Sequence, residues 1–151
     1  MLKGIDPLLT PELLRVLAEM GHGDEIVVTD ANFTAASLGR GKPVITLPGV
    51  GVERASAAVL SLLPLDAGQA QPVAYMQVSD TPSGYRSAFQ RRMVELLESS
   101  GWARSAQCKA EERFAFYDRV RKAYAIVHTG ELQPYANFIF AKGVIGEALV
   151  P

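Results

Sequence analysis

The chain has 151 residues, of which 48% are hydrophobic and 21% charged, with a formal net charge of −1. That is the profile of a globular protein and argues against a disordered chain or a mainly nucleic-acid-binding one. The length suits a single domain spanning 1–151. No apolar run approaches the roughly 20 residues of a membrane span. The N-terminal "MLKGIDPLLTPELL" is broken by Asp6, Pro7 and Pro11, so it lacks a signal-peptide layout. The only cysteine, Cys108, excludes a disulfide framework or a Cys-based zinc site within one chain and points to the cytoplasm.

In chain order, "LTPELLRVLAEMG" predicts a helix. Thr10 suits its cap, Pro11 its first position and Gly21 a left-handed stop. Leu13, Leu14, Leu17 and Met20 recur at helical spacing as its buried face. "EIVVTD" is a short β-branched strand over 25–30, and "ANFTAASLGRGK" reads as a loop. "PVITLPG" is a second strand. "VERASAAVLSLLP" is a second helix, with Ala55, Ala58, Val59, Leu62 and Leu63 inward. "QPVAYMQV" is a third strand and "GYRSAFQRRMVELLESSG" a third helix, burying Phe89, Met93, Leu96 and Leu97. A fourth helix, "EERFAFYDRVRKA", precedes the strand "YAIVHTG", the loop "ELQPYAN" and the last strand "FIFAKGV". "IGEALVP", with residues 144–151 as a C-terminal tail, reads as a tail or an interface arm. Strands alternating with helices predict an α/β fold with a mainly parallel sheet covered on both faces. The short last connection leaves room for one antiparallel strand.

Ligands of parallel α/β sheets gather beyond the carboxyl ends of the strands. Asp30, His128, Tyr135 and Asn137 fall at such ends or beside them, and "RFAFY" adds Arg113 and Tyr117. His22 precedes its strand and so belongs to the opposite edge. Its Gly21–Gly23 frame lets the backbone aim the imidazole outward. Taken alone, each residue has a plain reading as well. His22 reads as a surface turn residue or an acid/base, Asp30 as a turn or cap residue, and Arg113 as a helix surface charge. Tyr135 reads as a core ring with its hydroxyl at the surface, Asn137 as a turn residue and His128 as a strand end. Asp24 and Glu25 read as flanks of the strand. "GVGVERA" lacks the rest of a phosphate-loop fingerprint and reads as a loop-to-helix turn. Neither an H-E-x-x-H metal spacing nor a G-x-S-x-G elbow is present.

At "PELLRVLAEMGHGDEIVVTDANF" the chain resembles the family of L-fucose mutarotases and D-ribose pyranases. The likeness continues through "RFAFYDRVRKAYAIVHTGE" and "PYANFIFAKGV"; residues 43–105 match mainly by order of elements. "RFAFY" points to the fucose branch, while "PYAN" suits either branch. Thr34 stands where the fucose-type loop usually carries proline, and the tail beyond Gly143 is longer than that pattern. The resemblance implies a three-layer α/β/α sandwich and a ring-shaped homo-oligomer, commonly a decamer, with pockets between subunits. It implies no metal or organic cofactor. Matched position by position, the family's histidine falls on His22, its sugar-binding aspartate on Asp30 and its arginine on Arg113. The tyrosine and asparagine of the "YAN" loop fall on Tyr135 and Asn137, and Tyr117 lies near the same helix position.

The activity so implied is interconversion of the α and β anomers of a free monosaccharide by ring opening and reclosure. His22 is then the principal acid/base. Asp30 orients His22 or binds a sugar hydroxyl, and Arg113, Tyr117, Tyr135 and Asn137 hold the ring. A ribose pyranose–furanose isomerase, a non-catalytic sugar-binding transport accessory and, more weakly, a small nucleotide-binding domain are the competing expectations.

Overall fold

The computed structural model of the chain describes residues 1–146; most of the expected tail, 147–151, lies outside the described residues. The elements are α1 (Pro11–Glu19), β1 (Glu25–Thr29), α2 (Ala35–Leu38), β2 (Val44–Leu47), α3 (Val52–Leu60) and β3 (Val73–Met76). They continue with α4 (Ala88–Ser99), a 3-10 turn (Ser105–Gln107), β4 (Cys108–Glu111), α5 (Arg113–Lys122), β5 (Ala125–Thr129) and β6 (Phe138–Ala141). The six strands form one sheet in the order β2-β5-β1-β6-β3-β4. β5 is parallel to β1 and β2, and β4 is parallel to β3. β6 is antiparallel to both of its neighbours, β1 and β3. Five strands therefore point one way, and the lone reversed strand sits inside the sheet.

Burial on both faces explains the unbroken apolar strand runs. Ile26, Val28, Ala125, Val127, Phe138 and Phe140 face one core, built with α1, α3 and α4. The alternate residues Val27, Ile126, Ala74 and Ile139 face a second core, built with α2 and α5. This is the expected α/β/α layering.

Local chemistry sets the element ends, and in places it departs from expectation. Thr10 caps α1, its Oγ1 accepting from the Leu13 amide at 3.2 Å, a contact typically worth about 1 kcal/mol. Buried Val16 joins Leu13, Leu17 and Met20 on the inner face, while Leu14 is only half-buried. The left-handed residue after α1 is Gly23, with φ 85°, and not Gly21. The Gly21 amide is instead held by the Asp24 carboxylate at 2.7 Å. α3 ends at Leu60, so Leu62 turns outward and Leu60 is the buried residue. α4 starts later than expected because Ser87 caps it. The strand β4 and the short helix α2 were not expected. β4 is an edge strand reading Cys108-Lys109-Ala110-Glu111, with only Cys108 buried, so it carries no β-branched or alternating apolar signal. The four residues of α2 are too few to show a helical period.

Candidate active site

The reversal at β6 opens the site. The carboxyl ends of β1 and β3 flank the amino end of β6, and a cleft of about 180 Å³ lies there. Its walls carry Asp30, Arg113, Tyr117, Tyr135 and Asn137, together with Asn32, Phe33, Met76 and Pro134. That volume falls below the roughly 300–1,000 Å³ of drug-sized pockets and suits a ligand the size of one sugar ring.

Two buried side chains form its floor. The Asp30 amide donates to Asn137 Oδ1 at 2.9 Å, and Asn137 Nδ2 donates to Asp30 Oδ2 at 3.0 Å. Asp30 Oδ1 accepts from the Asn32 amide at 3.0 Å. Burial pushes the Asp30 carboxyl above the ordinary aspartate value, against the lowering effect of donors from Asn32, Asn137, Ala136 and Phe33. The Asp30–Asn137 pair thus ties β1 to β6 while keeping a carboxylate at the cleft.

The rim is built on α5 and on the loop before β6. Glu112 caps α5, its Oε2 accepting from the Phe114 and Ala115 amides at 2.9 and 3.1 Å. This carboxylate offsets an unfavourable feature, the Arg113 cation on the first turn, where the helix dipole is positive. Arg113 Nε donates to the Tyr117 hydroxyl at 2.9 Å. The Tyr117 ring meets Phe33 edge-on at a centroid distance of 5.8 Å. Tyr135 adopts φ 58°, a conformation rarely taken by residues other than glycine. Such strained positions concentrate at ligand clamps.

His22 is not in this cleft. It lies before β1, at the other end of a five-residue strand, about 17 Å long at the usual rise. Its ring is 59% exposed, and Nε2 lies 3.1 Å from Asp66 Oδ1. Asp66 is itself buried and accepts from the Gly68 amide at 3.0 Å and Gln69 Nε2 at 2.9 Å. Those two donors, then His22, hold its carboxyl below the ordinary aspartate value. The expected orientation of His22 by Asp30 therefore fails within one chain: the carboxylate on the ring belongs to Asp66. Asp66 and Gln69 sit in "PLDAGQAQP", a turn-like stretch with no chemical spacing to single them out. Asn32, Phe33, Met76 and Pro134 likewise carry no chemical spacing in the sequence; Asn32 and Phe33 only stand near Asp30, and Pro134 only adjoins "YAN".

The remaining candidates are structural. His128 Nε2 lies 3.1 Å from the Ala31 carbonyl and does not line the cleft. Asp24 holds the turn before β1, and Glu25 pairs with Arg119 at 2.7 Å. The "GVGVERA" stretch is the start of α3, and a Cβ on Gly51 would lie 2.7 Å from Glu131 Oε2. Negative charge already stands where a phosphate would approach. Burial pushes the Cys108 thiol up to about 11, so it stays protonated at neutral pH. Among the described residues, no three His, Cys, Asp or Glu side chains gather as a metal cluster, and no helix is long and apolar enough to cross a membrane.

Residues 3–145 match the model of the RbsD / FucU transport protein family. The chain belongs to that family. Among its RbsD/FucU relatives, the fucose mutarotase of Danio rerio is 45% identical over 146 residues, covering 95% of this chain and 94% of that one. The L-fucose mutarotase of Actinobacillus pleuropneumoniae is 43% identical over 144 residues, covering 95% and 97%. The fucose mutarotase of Streptococcus pneumoniae, solved in complex with L-fucose, superimposes with a TM-score of 0.85 at 36% identity, covering 96% of this chain and 100% of that one.

Proposed function

We propose that the chain is a monosaccharide mutarotase, acting on L-fucose or a closely related free sugar. The observation that carries this reading is the cleft at β6, which gathers the five expected sugar-binding residues around a buried carboxylate. The relatives' named activity points the same way.

Anomer exchange needs a proton delivered to the ring oxygen and one taken from the anomeric hydroxyl. An imidazole is the side chain suited to giving and taking a proton near neutral pH. In this reading His22 is that group, and Asp66 holds its ring in one orientation. Asp30, Arg113, Tyr117, Tyr135 and Asn137 bind hydroxyls and fix the sugar. Positioned acid–base catalysis of this kind supplies roughly 10²–10⁴-fold, a useful factor for a hemiacetal that already opens slowly in water.

His22 and the cleft stand at opposite ends of the sheet, so the imidazole serves the cleft of a second copy. Support comes from the surface beside the dyad. An apolar groove of about 540 Å³ runs past Leu14, Leu62, Pro64, Gly143 and Ile145, with Leu62 37% and Ile145 85% exposed. Apolar surface of this kind marks a contact face. A head-to-tail contact that brings the imidazole end of one copy to the cleft end of the next gives a ring where the rotation closes, as in the expected decamer. The single, unpaired cysteine, Cys108, supports a cytoplasmic setting for this work.

Exchange NMR on L-fucose tests the reading. Faster interconversion of the α and β resonances on adding the protein supports it. Binding without faster exchange would make the protein a sugar carrier instead.

A further inference from the structure

Gln90 lies on α4, behind the wall of the cleft and not in it, and it is fully buried. Its Oε1 accepts from the Ser87 amide at 3.0 Å while Ser87 Oγ accepts from the Gln90 amide at 3.1 Å, which closes a capping box. A cap of that kind uses only the oxygen of the carboxamide. Here the nitrogen also has partners, on two other elements. Gln90 Nε2 donates to the Met76 carbonyl at 2.8 Å and to the Tyr135 carbonyl at 3.1 Å.

Both acceptors belong to residues that line the cleft. Met76 ends β3, and its own amide donates to the Asn137 carbonyl at 3.2 Å. Tyr135 is the strained residue at φ 58°. The next residue, Ala136, is fully buried, and its amide lies near enough to the Asp30 carboxylate to help lower its pKa. A change in the Tyr135 backbone would therefore move the Tyr135 ring and that amide together.

Resting on the sugar-site reading above, we infer that Gln90 is a positioning residue of the site: its carboxamide clamps the Tyr135 carbonyl and so holds the "YAN" loop in its strained, ligand-binding conformation. A carboxamide suits the task because it offers one acceptor to the helix cap and two donors to the two carbonyls. Without those donors, two buried carbonyls lose a partner, and the left-handed residue loses its restraint.

Three variants separate the clamp from the cap. Gln90→Met removes the three bonds of the carboxamide and leaves the residue-90 amide donating to Ser87 Oγ. Gln90→Glu keeps the shape and the acceptor for Ser87 but loses the donors, and it is the fallback should the methionine variant fold poorly. Ser87→Ala breaks the serine half of the cap and leaves the clamp. In the sugar-free protein, amide hydrogen exchange at Ala136 should rise about tenfold in either Gln90 variant and stay within about twofold of wild type in Ser87→Ala. With L-fucose, KM should rise about tenfold in the Gln90 variants with kcat changed less than about twofold, while Ser87→Ala lowers only the melting temperature. Equal effects of Ser87→Ala and the Gln90 variants on Ala136 exchange and KM would reduce Gln90 to a helix cap. Wild-type exchange at Ala136 in a folded Gln90 variant would overturn the clamp. Should the wild-type protein fail to accelerate anomer exchange at all, the sugar reading falls, and hydrogen exchange at Ala136 still decides the clamp.

Discussion

The two ends of β1 carry the same pair of groups, a buried aspartate and a polar partner, and use them in opposite ways. At the carboxyl end, Asp30 and Asn137 are both buried and bonded to each other, inside a concave cleft. At the amino end, Asp66 is buried but its partner His22 is 59% exposed on open surface. Locking both partners makes a rigid receptor. Locking only the carboxylate makes an imidazole that is oriented yet presented outward. In the proposed function the contrast is that of a site divided between two faces of one protein: the first is to hold the sugar, the second to bring the proton-transfer group to it.

The largest expected effect comes from removing the presented ring. His22→Ala should keep L-fucose affinity and the melting temperature while lowering the catalysed anomer exchange by roughly 10²–10⁴-fold, measured by exchange NMR. Unchanged exchange would take the imidazole out of the mechanism. Asp66→Asn leaves the ring but weakens its orientation. A further loss of about tenfold in kcat, near 1.4 kcal/mol of transition-state stabilisation, is expected with KM unchanged. A change confined to KM would instead place Asp66 at the sugar.

On the receptor side, Tyr135→Phe removes one hydroxyl. Calorimetry should show sugar affinity falling by about 1 kcal/mol, or about fivefold, with thermal stability preserved. The Asp30 carboxyl is held above the ordinary aspartate value by burial, so on acidification it protonates before an exposed aspartate does. Sugar affinity should therefore fall as pH drops, with a midpoint above 3.8. The same raised value makes folding stability decline with rising pH between the unfolded and folded values. A midpoint at or below the ordinary aspartate value would contradict the burial argument.

The smallest effect is a control remote from this contrast. Ser56 Oγ is, among the described residues, the buried side-chain polar atom with no partner. Ser56→Ala should leave exchange unchanged and raise stability by up to about 1 kcal/mol in denaturant melts.

How much of this could be read from sequence follows from how local each signal is. Thr10, Pro11 and the Leu13–Leu17 spacing announce α1 because caps and period lie within a few residues. The β1, β5 and β6 runs announce themselves because both faces of those strands are buried. β4 was silent because an edge strand with Lys109 and Glu111 outside needs no apolar pattern. Asp30, Arg113, Tyr117, Tyr135 and Asn137 were named from strand ends and from family likeness, and the fold brings them together. Asp66 stands 44 positions from His22 and Gln90 stands 45 from Tyr135. Their roles are tertiary pairings, which no periodicity or spacing in one chain announces.

In the proposed function the imidazole of one copy works at the cleft of another. The most direct test of this is subunit complementation. His22→Ala, with an intact cleft, is unfolded, mixed with equal Arg113→Ala/Tyr135→Phe, which has an intact imidazole, and refolded together. With random heterologous assembly, about a quarter of the sites join an intact cleft to an intact His22. L-fucose exchange should therefore recover to about that fraction of wild type. A mixture no more active than its two parents would contradict the account.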